Sequence, residues 1–299
     1  MIPKKLWNKE ILYQSEKLIE IYKNKLIELS MYEHAENHTE QGNGATGGKN
    51  IEETKKHFAE RFLTSSARVQ FITINPRGEF NKVSRDLQTT FGSGRISILD
   101  IPCGTGAGIL SLLCNIAELR MESKLPSLPL YINIMGGDYA ESALTIYSEL
   151  LNNIKTHLAT QLIYIKYEVF IWDASTSPST NLLLRNWLKD EEKYEEFYVL
   201  MSAFSGVGTK NYKSFEDSFS FIQTYISHLP TTTIFIEPTT RQSKDFLEFI
   251  SKMMEKAVNW LIGKEESTGT NRFKWYDSIR NNNAKSGVSI KLYNRGNVE

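Results

Sequence analysis

From Arg95 onward, short apolar runs alternate with longer segments whose apolar side chains recur at helical spacing, and this alternation restricts the possible folds more than any other feature. Runs of this kind suit strands that are covered on both faces. The helical segments between them supply the crossovers that a parallel sheet requires. Strands are predicted at residues 96–101, 130–136, 164–171, 197–203 and 232–237, with helices near 108–120, 141–159, 182–193, 215–229 and 244–262. Two further apolar runs, 273–279 and 288–293, flank the turn-rich Asn281-Asn282-Asn283-Ala284-Lys285-Ser286-Gly287 and predict an antiparallel hairpin. The expectation is an α/β fold of seven strands.

Before this region, Leu6, Ile11, Leu12, Leu18, Ile19, Ile21, Tyr22, Leu26 and Leu29 form a broad helical stripe, predicting one or two helices. Residues 34–50 lack periodicity and read as a flexible loop, after which a second helical pattern runs from Ile51 to about Leu63. Residues 1–94 are thus expected to form a helical cap or recognition region, and residues 95–299 the ligand-binding domain. With 299 residues and 40% hydrophobic content the chain can bury a full core. Met1-Ile2-Pro3-Lys4-Lys5 is followed by an amphipathic stretch rather than an apolar one, and no run approaches the roughly 18 apolar residues of a membrane span, so neither a secretory signal nor a membrane segment is expected. Cys103 and Cys114 fall in a predicted loop and the helix after it, which disfavours a disulfide and points to a reducing, cytoplasmic compartment.

A net charge of zero argues against a strongly basic nucleic-acid binder. The charge is unevenly spread: residues 1–95 carry 15 basic and 12 acidic groups, residues 96–240 carry 9 and 16, and residues 241–299 carry 11 and 7. Solvated helix faces explain the acidic middle, which would also favour a cationic ligand.

The most specific local signal is Ile96-Ser97-Ile98-Leu99-Asp100-Ile101-Pro102-Cys103-Gly104-Thr105-Gly106-Ala107-Gly108-Ile109-Leu110, a strand, a glycine-rich turn and a helix in direct succession. Glycines at 104, 106 and 108 permit positive φ and let backbone amides approach a ligand. Asp100, at the strand end, places a carboxylate where it can hold a ligand's amino group, or can instead stabilise the turn or helix end. A site built for pyrophosphate would not favour an anion there.

The run Leu99-Asp100-Ile101-Pro102-Cys103-Gly104-Thr105-Gly106 resembles motif I of class I, Rossmann-like S-adenosylmethionine-dependent methyltransferases, with Pro102 where glycine is common. The resemblance covers residues 95–299. It implies a mostly parallel sheet of order 3-2-1-4-5-7-6 with an antiparallel terminal hairpin, and S-adenosyl-L-methionine held by Asp100, Cys103, Gly104, Thr105, Gly106 and Gly108. It further implies that Asp138, in Gly136-Gly137-Asp138-Tyr139, accepts from the ribose hydroxyls, with Tyr139 beside it; a helix cap is the alternative for Asp138. Asp173 and Ala174 would bracket adenine, with Trp172 either stacking or packing in the core. On these readings Asp138→Ala should lose cofactor affinity while folding survives, and Gly106→Val should weaken binding with modest effect on folding if its φ is ordinary.

The reacting centre of such an enzyme lies beyond the fourth strand. There the segment Met201-Ser202-Ala203-Phe204-Ser205-Gly206 has neither the Asn/Asp-Pro-Pro-Tyr/Phe motif of adenine methylation nor the Pro-Cys pair of cytosine methylation. Ser202 and Glu237 are the candidate catalytic residues, Glu237 being also a candidate helix cap. His57 and His228 are read as surface residues before catalytic ones. Zinc-ligand spacing is not evident, and no metal is expected. The basic C-terminal part, with Trp260, Phe273, Trp275 and Tyr276 interleaved, would allow RNA contact, although core aromatics and solvated lysines account for it. The reading is a methyltransferase acting on a small metabolite, peptide or RNA. An NAD-dependent dehydrogenase and a catalytically inactive, partner-binding module are the alternatives.

Overall fold

The computed structural model describes residues 2–38, 48, 50–207, 209–258 and 264–295. The chain starts with two short strands, β1 (Trp7–Asn8) and β2 (Ile11–Leu12), which pair antiparallel. Helices α1 (Glu16–Glu28), α2 (Tyr32–Asn37), α3 (Ile51–Ile74) and α4 (Asn81–Thr90) follow. Then come β3 (Gly94–Asp100), α5 (Ala107–Met121), β4 (Leu130–Asp138), α6 (Glu141–Ala159), β5 (Ile163–Ile171), α7 (Ser177–Trp187), β6 (Glu196–Ser202), α8 (Glu216–Tyr225), β7 (Thr231–Pro238), α9 (Arg241–Val258), β8 (Lys264–Asp277) and β9 (Asn282–Arg295).

Among the described residues the strands form one sheet of nine, in the order β1-β2-β8-β9-β7-β6-β3-β4-β5, not the seven expected. The seven from β3 onward follow the anticipated 3-2-1-4-5-7-6 order, with β3 to β7 parallel and β9 antiparallel to both β7 and β8. The additional pair corrects the all-helical reading of the N-terminus. Lys9 and Glu10 both take positive φ, the turn geometry that favours a two-residue hairpin, and β2 then extends the edge of β8. The terminal hairpin is longer than expected. Its turn lies at residues 278–281, and the polar stretch 282–287 that reads as a turn belongs to β9, paired residue by residue with β8.

Alternation along the strands sorts side chains into two cores. Ile96 and Ile98 of β3, Ile132 and Ile134 of β4, Tyr198 and Leu200 of β6 and Ile234 of β7 pack with α1, α3, α5 and α6. Leu99, Met135, Val199, Met201 and Phe235 point the other way, against α7, α8 and α9. The edge strand β5 alternates buried Ile163 and Ile165 with exposed Tyr164 and Lys166, the charged edge that resists pairing with another sheet.

Helix α3 runs eleven residues beyond its expected end, to Ile74. Ser66 and Thr73 interrupt the apolar pattern in sequence, yet their hydroxyls donate back to Phe62 and Val69 carbonyls within the helix. Of the expected loop at 34–50, residues 39–47 and 49 lie outside the described residues, and residues 34–37 belong to α2 instead. Cys103 and Cys114 are buried and unbridged. No helix among the described residues is long and apolar enough to cross a membrane.

Candidate functional site

The C-terminal ends of β3 to β7 share one edge of the sheet, where the register sets Asp100 opposite Gly136 and Leu200, Asp138 opposite Ile171, and Ser202 opposite Ile236. β3 lies between β4 and β6, so successive crossovers leave it in opposite directions and open a crevice at their divergence. The glycine loop occupies this point. The Ile101–Pro102 peptide is cis, Gly104 and Gly106 take φ of +51° and +91°, and α5 begins directly after Gly106 without a side-chain cap.

The loop is fastened from three sides. Cys103 N donates to Gly137 O at 2.9 Å, Gly104 N to Asp138 Oδ2 at 2.9 Å, and Gly106 N to Cys103 O at 2.9 Å. Tyr147, fully buried on α6, sits beneath it: a Cβ on Gly106 would lie 3.1 Å from the Tyr147 ring, and one on Gly136 only 2.8 Å. Gly104 differs, because a Cβ there would meet nothing within 4 Å. Nothing in the local pattern around Tyr147 marks it as part of this site. The Tyr147 hydroxyl donates to Asp100 Oδ2 at 3.1 Å, while Asp100 Oδ1 is buried without a hydrogen-bond partner.

Asp138 carries more of the local structure than the sequence implies. Its Oδ2 accepts from Gly104 N and its Oδ1 from Ala140 N, both at 2.9 Å, so one carboxylate fixes the glycine loop and the turn into α6 together. It does not cap α6, whose N-cap is Ala140 with no side-chain cap bond. Removing this carboxylate would release the loop, so Asp138→Ala should not leave folding untouched as first expected. Tyr139 beside it is 67% exposed.

At the end of β5, Asp173 Oδ1 accepts from Ser175 N at 2.9 Å and Ser175 Oγ at 2.6 Å, forming a local turn, and Ala174 is half-buried. Trp172 is a core residue: its ring is 2% exposed, and Nε1 donates to Thr180 Oγ1 at 2.9 Å. At the end of β6, half-buried Ser202 faces the first turn of α5, where a Cβ on Gly108 would come within 2.9 Å of its Oγ. Glu237 is fully buried and holds the loop after β6. Its Oε1 accepts from Phe204 N at 2.7 Å, and its Oε2 from Ser205 Oγ at 2.6 Å. That loop also contains Ala203 at φ +57°, a backbone conformation unusual for a residue with a Cβ.

Helix α3 spans the same edge. Thr54 Oγ1 lies 2.6 Å from Ser142 Oγ near the start of α6, Ser66 Oγ donates to Ala107 O, and Arg68 Nε donates to Gly287 O of β9 at 3.1 Å. His57, Arg61, Ser65 and Arg68 form one half-exposed stripe on this helix. Burial pushes the His57 imidazole down to about 4, assisted by Arg61, so that ring is neutral at physiological pH. Phe273 and Trp275 are buried, in keeping with their reading as core aromatics, and Trp260 lies outside the described residues. Away from the edge, His34, His38 and Glu60 place one ligand atom each within 4.8 Å of one another, a grouping that the expectation of no metal did not foresee.

Burial raises the Asp100 carboxyl to about 8 and that of Glu237 to about 7, from ordinary values of 3.8 and 4.5; the Asp138 charge adds to the rise at Asp100, and hydrogen bonds only partly offset burial. Over these intervals the folded chain holds protons that the unfolded chain releases, so this contribution is complete at low pH and fades as pH climbs through 7 and 8. The thermal midpoint of ligand-free protein should therefore fall between pH 6 and 8.5, less steeply in Asp100→Asn. A midpoint that rises over that range would refute this assignment.

No family model matches this chain, and no curated protein matches it in sequence. Among solved structures it is similar to a protein provisionally assigned as an S-adenosyl-L-methionine-dependent methyltransferase from Methanococcus maripaludis, with 12% identity and a TM-score of 0.39 over 88% of this chain and 98% of that one. It is also similar to precorrin-6y C5,15-methyltransferase from Geobacter metallireducens, with 8% identity and a TM-score of 0.36 over 71% and 86%. An antibiotic-related methyltransferase shares 12% identity and a TM-score of 0.35 over 72% and 94%. At these identities and scores none of the three decides what this chain does.

Proposed function

We propose that the glycine loop and the acidic strand ends hold S-adenosyl-L-methionine, and that the protein is a methyltransferase. The observation that carries this reading is the space over Gly104, which a Cβ would enter without meeting protein, beside the Asp138 carboxylate that accepts from Gly104 N and on the sheet edge where Asp100 ends β3. The Asp138 charge disfavours pyrophosphate, and a cationic amino-acid tail would draw the proton from Asp100, so the edge suits a ligand with such a tail and neutral ribose hydroxyls. That also weighs against the dehydrogenase alternative. The unpartnered Oδ1 of Asp100 leaves one acceptor for such a ligand, and the second lone pairs on the Asp138 oxygens leave others.

When bound, the cofactor supplies a methyl carbon on a sulfonium. The chain's own part is positional, since in-line displacement depends on alignment and needs a base only where the nucleophile carries a proton. Asp138 keeps the loop in register, Tyr147 supports it from below, and Ser202 lines the acceptor side. Glu237 acts by holding the Phe204–Ser205 backbone, because its oxygens are occupied by that loop. Helix α3 serves as the cap over the edge, and the guanidinium groups of its stripe favour an acceptor that carries negative charge, whether metabolite, peptide or RNA.

Gly104→Ala provides the cleanest test. The methyl group meets no neighbour and the residue is already in the left-handed region, so stability should fall by only about 1–2 kcal/mol. Affinity for S-adenosylhomocysteine, measured by calorimetric titration, should drop at least tenfold. Wild-type protein should bind S-adenosylmethionine and its demethylated product but neither NAD nor NADP. Unaltered affinity in the variant, or binding of NAD alone, would sink the proposal; binding without turnover across an acceptor panel would favour the inactive module.

A further inference from the structure

We propose that His34, His38 and Glu60 form a site for one divalent transition-metal ion of the zinc type, fastening α2 to α3. His34 lies within α2 and His38 at its C-cap, four residues on, so the two rings project from one side of the helix. Glu60 reaches them from the third turn of α3. His34 Nε2 is 3.0 Å and His38 Nδ1 3.6 Å from Glu60 Oε1, and all three ligand atoms lie within 4.8 Å of one another. Bonds of about 2.0–2.1 Å to a tetrahedral zinc ion set its ligand atoms roughly 3.3–3.4 Å apart, so small side-chain shifts would admit the ion.

The burial of these groups points the same way. The Glu60 carboxylate is 2% exposed, so its oxygens face the two imidazoles in a largely desolvated setting. One nitrogen of His38 is too far from Glu60 for a hydrogen bond, and the other is buried without a partner. The ring thus sits at the cluster without the hydrogen bonds that ordinarily accompany burial of a polar group. Coordination would use its Nδ1 lone pair. His34 would keep its proton on Nδ1 and bind through Nε2, exchanging its hydrogen bond to Glu60 for a shared ion. Its side chain is 38% exposed, which leaves room for a water as fourth ligand. Arg280 approaches from the β8–β9 turn, but Asp277 lies 3.6 Å from its Nε, which also donates to Ala35 O. A filled site would clamp α2 onto the helix that crosses the strand ends. The proposal is independent of what those strand ends bind.

Cobalt(II) titration of chelator-treated full-length protein tests it. One equivalent should bind, with the visible bands of a tetrahedral nitrogen and oxygen site, and zinc should displace it and raise the thermal midpoint. His34→Ala/His38→Ala should weaken zinc at least a hundredfold and abolish that rise, and Glu60→Gln should weaken it about tenfold. Should the variants not fold, the wild-type titration stands alone. Absence of binding at one equivalent, wild-type affinity in the folded double variant, or a near-ultraviolet thiolate band placing the ion on Cys103 or Cys114 would each overturn the site.

Discussion

Gly106→Val is expected to remove a large share of the protein's stability, not merely to weaken ligand binding. Gly106 adopts φ +91°, which a β-branched residue does not tolerate, and its Cβ would meet Leu110 Cδ1 at 3.0 Å and the Tyr147 ring at 3.1 Å. Neither neighbour yields readily. Leu110 and Tyr147 are both fully buried, and the tyrosine is tied to Asp100. Backbone strain of about 1–3 kcal/mol and overpacking of about 1–3 kcal/mol combine to roughly 2–6 kcal/mol. A domain typically has only about 5–15 kcal/mol in total, so the loss is a large share. Urea unfolding followed by far-ultraviolet circular dichroism measures it directly. A midpoint equal to wild type would show that the loop does not take this conformation. The modest folding effect expected at a position of ordinary φ does not apply here, and Gly104 is the better probe of binding.

The second large effect is expected at Glu237. Alanine would leave Phe204 N, Ser205 N and Ser205 Oγ without the carboxylate that now accepts from them in a fully buried setting. Each unsatisfied buried donor costs about 1–3 kcal/mol, so the variant should lose at least about 2 kcal/mol even if Ser205 Oγ turns to Ser243 Oγ, 2.9 Å away. Glutamine retains one carbonyl acceptor and should lose about half as much. If Glu237 only positions the loop after β6, Glu237→Gln should keep cofactor affinity and leave the shape of any pH–rate profile unchanged. A lost acidic limb in that profile, with stability intact, would instead assign Glu237 a proton-accepting role.

The order of strands and helices from Gly94 to Val258 was legible because periodicity is local: contiguous side chains alternate or recur every three to four residues according to the faces they bury. The glycine loop was legible for a similar reason, since positive φ at residues 104 and 106 restricts which residues can stand there. The opening hairpin was not, because Lys9 and Glu10 do not advertise the left-handed conformations they adopt; the pairing of β2 with β8 draws on residues more than 260 positions apart. The same limit hid the partners of individual groups. Sequence placed Asp138 and Glu237 at strand ends, yet only the tertiary structure showed that Gly104 and Ala140 amides occupy one carboxylate and the Phe204–Ser205 loop the other. His34 and His38 show one helical turn in sequence, but the carboxylate that makes them a ligand set arrives from another helix. Sequence thus determined which backbone each segment prefers, while the pairing of polar groups was decided by packing, because a buried donor or acceptor must find its partner wherever the fold brings one within reach.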